Sequence, residues 1–122
     1  MDQTIKDAII RATTQEPFVQ TLGMELKTLE KGFSAVEMTY DPARMDNLFG
    51  RAHGGAIFAL IDEAFETAGQ THGTVAVAMN VNVSYIASPE AGTRLRAEAQ
   101  ELSQTKRTAN YEIRVTDQDG RL

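Results

Sequence analysis

The chain has 122 residues, enough for one domain, and its hydrophobic fraction of 42%, charged fraction of 24% and net charge of −5 are typical of a globular protein. No basic stripe accompanies that acidic balance, which argues against nucleic-acid binding, and the absence of cysteine excludes disulfides, thiolate metal ligands and cysteine nucleophiles. There is no apolar leader and no apolar run of about 18 residues, so we expect one cytoplasmic domain over residues 1–122 that does not bind membranes.

The first part of the chain predicts a short amphipathic helix followed by a β-hairpin. Apolar residues at helical spacing, ended by Pro17, indicate the helix: Ile5, Ala8, Ile9 and Ala12. The hairpin strands run from Met24 to Leu29 and from Phe33 to Tyr40, with Gly32 in the connection. A loop from Ala43 to Ala52 follows.

The rest of the chain predicts one long helix and three strands. The helix runs from about Gly54 to Gln70, and its apolar face consists of Ile57, Leu60, Ile61, Ala64, Phe65 and Ala68. The apolar period then changes to two, and strands are predicted at Val75–Tyr85, Leu95–Ala99 and Ala109–Val115. One polar face on each strand favours an antiparallel sheet. Because only one long helix can cover it, we predict an α+β fold in which a curved antiparallel sheet wraps around that central helix.

The end of the chain carries a further turn signal. Asp117-Gln118-Asp119-Gly120 is typical of a hairpin, yet only Arg121 and Leu122 follow it. We therefore expect the domain to lack its final strand.

The start of the long helix has two adjacent glycines, Gly54 and Gly55, preceded by His53. The first amides of a helix lack intrahelical acceptors, and glycine lets a ligand approach them closely. No Ser, Thr or Asp occupies the cap, so we expect the amides of Gly54, Gly55 and Ala56 to be free to receive an oxyanion. A Gly-Gly turn that only allows a tight entry to the helix is an equal alternative on spacing alone.

Asp62 is the candidate acid on the same helix. It lies roughly 10 Å along the helix axis from Gly55, too far for both to act on one carbonyl. A second subunit with its helix antiparallel to the first would bring Asp62 against the foreign Gly55 and give two equivalent sites. The alternative is a solvated carboxylate grouped with Glu63 and Glu66, and the residues alone favour that alternative.

Three further polar residues have weaker assignments. Asn47 could orient a water molecule, or could simply be a turn residue; His53 could point into a pocket, although a cap or packing role is more common. Metal binding is not expected, since His53 and His72 are the only histidines and no ligand spacing links them. His53-Gly54-Gly55 matches neither phosphate-binding glycine pattern.

The segment His53-Gly54-Gly55 with Asp62 nine positions after the histidine resembles the hotdog-fold acyl-CoA thioesterases of the phenylacetyl-CoA and 4-hydroxybenzoyl-CoA type. Asn47 occupies the place of the family's Asn or Gln. The resemblance extends from about Gly23 to the end of the chain, and includes the strand that begins at Met79 and the turn Ser103–Ala109.

The resemblance implies a role for each matching residue. Asp62 would be the nucleophile or the general base, and the Gly55 amide of the neighbouring subunit would polarise the thioester carbonyl. Asn47 would position either the target of Asp62 or the attacking water. The remaining positions would shape the helix entrance or bind substrate: His53, Gly54, Phe58, and, at the phosphates of coenzyme A, Lys106 and Arg107. The family forms dimers and often tetramers, so we expect a homodimer or homotetramer.

The expected reaction is hydrolysis of an aryl- or medium-chain acyl-CoA to the free acid and coenzyme A. Polarising amides and one carboxylate suffice, so no cofactor is expected, coenzyme A being part of the substrate. The alternative is a non-catalytic acyl-CoA-binding module or sensor of the same fold. A hotdog hydratase is less favoured, because such families carry other motifs around the helix.

Overall fold

A computed structural model describes residues 1–122. Its helices are α1 (Gln3–Thr14), α2 (Pro17–Leu22), α3 (Pro42–Met45) and α4 (Gly54–Gly69), and its strands are β1 (Glu25–Glu30), β2 (Phe33–Thr39), β3 (Arg94–Gln104) and β4 (Ala109–Thr116). The four strands form one antiparallel sheet in the order β1-β2-β3-β4. The predicted α+β class is confirmed, and α4 ends one residue before the predicted boundary.

The N-terminal region contains two helices where the sequence predicted one. Asp2 caps α1 by accepting a hydrogen bond from the Thr4 N–H at 2.8 Å. Pro17 is the first residue of α2, where its missing N–H has no cost, and Gly23 closes that helix at a φ of 66°. The proline that we interpreted as the end of one helix therefore also begins a second.

The core lies between α4 and the sheet. Small residues let the helix approach the strands closely: Ala64 and Ala68 of α4 and Ala97 and Ala99 of β3 are all fully buried. Larger side chains fill the space around them, chiefly Val36, Met38, Met45 and Leu60. At the far end of α4, the Phe65 ring packs edge-on against Tyr111 of β4, with ring centroids 5.5 Å apart.

The prediction that Val75–Tyr85 forms a strand of the sheet is wrong. It falls within the connecting segment (residues 75–90), which lies between α4 and β3 and pairs with no strand. Its Val75, Val77 and Met79 side chains are 93%, 88% and 83% exposed. The alternation shows that the segment has two faces, but a ladder also needs a neighbouring strand about 4.8 Å away, and none lies there. The outer edge of β4 is likewise unpaired.

The turn predicted near the end of the chain is confirmed. The Gly120 N–H donates to the Asp117 carbonyl at 3.0 Å, and the Asp117 N–H donates to the Arg121 carbonyl at 2.9 Å. No helix of the protein combines the length and the apolar character needed to cross a membrane.

Candidate functional site

The first turn of α4 is capped by its own histidine. His53 has an extended backbone, and its ring Nδ1 accepts the Gly55 N–H at 2.8 Å. The Ala56 N–H donates to the His53 carbonyl at 3.0 Å. The expectation of three free amides was therefore wrong: the imidazole replaces the missing Ser, Thr or Asp cap. Within the chain only the Gly54 N–H is left without an acceptor.

Gly54 is needed for a close approach that the sequence did not reveal. The Tyr85 hydroxyl donates to the Gly54 carbonyl at 3.1 Å, and a Cβ at position 54 would lie 3.3 Å from the Tyr85 ring. The Arg51 Nε donates to the Ser88 hydroxyl at 3.1 Å. These contacts fasten the connecting segment to the start of α4. The alternation pattern identified Tyr85 only as one more apolar side chain.

Asn47 orders the loop that leads into α4. Its side-chain oxygen accepts the N–H groups of Phe49 at 2.8 Å and Arg51 at 3.1 Å. The His53 N–H donates to the Met45 carbonyl at 2.7 Å and anchors the other end of the loop. Within one chain, Asn47 thus has the contacts of a turn residue.

Asp62 lines a large cleft between α4, the connecting segment and β4. The cleft has a volume of about 1860 Å³, and α4 contributes Ile57, Ile61 and Phe65 to its apolar wall. The Asp62 side chain is exposed, yet partial burial of its carboxyl raises its pKa above the ordinary value, and the negative charge of Glu16 raises it further. An acid therefore lies near the edge of the apolar face of the helix, beside a space large enough for an acyl group.

The predicted site residues divide into two groups within one chain. Asp62 lines the cleft, as do the exposed Lys106 and Arg107 from the turn between β3 and β4. The other group does not line it: Asn47, His53, Gly54, Gly55 and the half-buried Phe58. Helical rise separates Asp62 from Gly55 by roughly 10 Å, so one chain does not bring the acid to the amides.

Comparison with known proteins gives the class. The family model of the thioesterase superfamily matches residues 49–122, which include α4 and the cleft-lining β4. The acyl-coenzyme A thioesterase PaaI of Escherichia coli is 35% identical over 99 residues, covering 81% of this chain and 70% of that protein. The proofreading thioesterase EntH of Klebsiella pneumoniae is 31% identical over 117 residues, 93% of this chain and 84% of that protein.

Solved structures agree with the sequence relatives. The structure of the Escherichia coli PaaI protein superimposes with a TM-score of 0.91 and 28% identity, over 98% of this chain and 86% of that one. A four-stranded antiparallel sheet with a central helix is thus the architecture of a hotdog thioesterase. The chain belongs to the thioesterase superfamily, a family of thioester hydrolases.

Proposed function

We propose that the protein hydrolyses an aryl- or medium-chain acyl-CoA to the free carboxylic acid and coenzyme A. The observation that carries the proposal is Asp62, a carboxyl on the central helix beside a cleft with an apolar wall. The similarity to thioesterases named for acyl-coenzyme A supports the substrate class. Ile57, Ile61 and Phe65 form a wall suited to an apolar acyl group.

The chemistry needs few groups. Asp62 either takes a proton from water as the hydroxyl attacks the thioester carbon, or attacks that carbon itself to form a mixed anhydride that water then hydrolyses. In both routes the C–S bond breaks, the thiolate leaves with coenzyme A, and water supplies the proton and the oxygen. The helix-terminal amide of Gly55 stabilises the oxyanion, which requires the His53 ring to leave the Gly55 N–H.

A second copy of the chain completes the site in this proposal. Asp62 and Gly55 are too far apart along one helix, whereas an antiparallel partner helix would bring the acid of one subunit to the amide of the other. Exposed apolar side chains of the connecting segment, such as Val75 and Met79, support burial against another subunit. We propose a homodimer or homotetramer without a catalytic cofactor, working in the cytoplasm. Lys106 and Arg107 offer the phosphates of coenzyme A two positive charges at the cleft.

Asp62→Asn tests the acid role. The amide keeps the size of the side chain but can neither accept the water proton nor attack, so we expect thiol release from benzoyl-CoA, phenylacetyl-CoA or octanoyl-CoA to fall by about 10²–10⁴-fold. The matched control is Asp119→Asn, the same change on an exposed aspartate of the terminal turn. Activity that is unchanged in Asp62→Asn would remove this mechanism. Saturable binding without thiol release by the unaltered protein would instead support the acyl-CoA-binding module.

A further inference from the structure

Three glutamates from two distant parts of the chain meet away from the first turn of α4. The carboxylate oxygens of Glu16, Glu63 and Glu66 all lie within 4.8 Å of one another. Glu63 and Glu66 are one turn apart on α4, whereas Glu16 precedes α2 and makes no side-chain cap there. Its carboxylate is thus not committed to the helix that it precedes.

Glu63 is the unusual member, because a carboxyl is rarely buried without a partner. The residue is 3% exposed, and its Oε2 has no hydrogen-bond partner in the chain. None of the three glutamates takes part in an ion pair with a lysine, arginine or histidine. An uncompensated buried carboxylate destabilises the folded protein, so this oxygen calls for a proton or a cation.

A single proton compensates only one of the three carboxyls. Burial, followed by the neighbouring carboxyls of Glu16 and Glu66, raises the pKa of Glu63 to about 10. Burial, followed by the charge of Glu16, also raises the pKa of Glu66. One shared cation would compensate all three groups at once.

The chemistry of the cluster favours Ca²⁺ among hard cations. Ca²⁺ accepts several carboxylates in a flexible coordination geometry, whereas Mg²⁺ demands near-octahedral geometry, keeps several waters and is usually held by only one or two carboxylates. Three carboxylates whose oxygens lie within 4.8 Å of one another, one of them on a buried residue, therefore suit Ca²⁺ better. We propose that Glu16, Glu63 and Glu66 form a Ca²⁺ site that ties the start of α2 to the central helix.

This cluster adjoins the residue expected to carry catalysis, since Glu63 follows Asp62 in α4 and Glu66 lines the same cleft, but none of its three glutamates belongs to the predicted catalytic site. Our expectation of no metal considered histidine and cysteine spacing, and Glu16 lies far from Glu63 in the chain. The proposed ion does no chemistry on the thioester. Its effect is on stability, since an ion that binds only the folded chain raises the free energy of unfolding.

Calorimetric titration of the EDTA-dialysed full chain with CaCl2, together with thermal unfolding, tests the proposal. We expect saturable binding of one Ca²⁺ per chain, with weaker binding of Mg²⁺. At calcium 100-fold above Kd, we expect Tm to rise on the order of 10 °C. Neither measurement depends on thioesterase activity, so this proposal and the proposed function can fail separately.

Variants show whether the three glutamates are the ligands. Glu63→Gln should abolish binding, and Glu16→Gln and Glu66→Gln should each weaken it at least about 10-fold, because each removes one charged ligand. Glu112→Gln, the same change on an exposed glutamate of β4, should leave Kd unchanged. If Glu63→Gln does not fold, the two other variants still decide the matter. Absence of heat and of a Tm shift with Ca²⁺, tighter binding of Mg²⁺, or undiminished affinity in the cluster variants would overturn the proposal.

Discussion

His53 illustrates how much the role of one residue depends on its hydrogen bonds. Because Nδ1 accepts the Gly55 N–H, it must be the unprotonated nitrogen of a neutral ring, and the other nitrogen carries the hydrogen. A Cβ at Gly55 would lie 3.0 Å from the same Nδ1, so the ring also occupies the space that a larger residue would need. The histidine and the two glycines therefore form one unit, in which the ring shields an amide that the reaction would use.

The cap leads to a prediction on stability. His53→Ala should lower the free energy of unfolding by about 1 kcal/mol, because it leaves the Gly55 N–H without an acceptor. His53→Asn should recover most of this loss, since an asparagine oxygen can accept the same N–H. Urea denaturation of the three proteins measures the difference. Equal midpoints for His53→Ala and the unaltered protein would show that the ring contributes nothing as a cap.

At the scale of the elements, charged side chains connect the outer faces of neighbouring strands. Glu37 of β2 accepts hydrogen bonds from Arg94 at 3.0 Å and from Arg96 at 2.9 Å, both on β3. Burial alone would raise the pKa of Glu37, but the two guanidinium groups outweigh it and lower the pKa below the ordinary 4.5. This carboxylate thus stabilises the β2-β3 pair as long as it is ionised.

The sign of this shift fixes a pH dependence. A carboxyl whose pKa is lower in the folded state contributes its stability fully above its unfolded pKa, and loses it as the pH falls through the folded pKa. Glu37→Gln should therefore cost about 1 kcal/mol at pH 7, and this cost should shrink towards zero below pH 4.5. Urea titrations at pH 7 and pH 3 test it, with Glu112→Gln as the exposed control. A cost that is the same at both pH values would contradict the ion-pair explanation.

Among the elements, those with a periodic apolar pattern could be predicted from the sequence, whereas contacts between distant residues could not. The apolar stripe from Ile57 to Ala68 specified α4 to within one residue, because a buried face leaves a direct trace in the spacing. The alternation from Val75 to Tyr85 was equally clear, but it carries no information about a partner strand. The contact of Glu16 with Glu63 and the ring of His53 on Gly55 depend on three-dimensional placement or on a rotamer, and no periodicity records either.

At the scale of the whole molecule, the two halves of the proposed site do not meet within one chain. Asp62 lies midway along α4 in a cleft bordered by the unpaired edge of β4, while the amides lie at the start of α4, where His53 covers that of Gly55. A two-fold axis between antiparallel helices would bring each acid to an amide of the other subunit. It would also bury the exposed apolar side chains of the connecting segment. The proposed function therefore requires that the two halves come from different subunits.

Mixing two inactive variants decides this requirement. Asp62→Asn removes the acid, and Gly55→Pro removes the N–H in the first turn of α4, where a proline fits only if the His53 ring, which no longer has that N–H to accept, moves aside. Each variant alone should lose at least about 100-fold in thiol release. After co-refolding in equal amounts, half of the dimers are mixed. Each mixed dimer has one doubly altered site and one intact site, so about a quarter of the original activity should return. If acid and amide came from the same chain, every site would carry one defect and the mixture would stay inactive. Recovery near a quarter therefore shows that the two halves of the site come from different subunits.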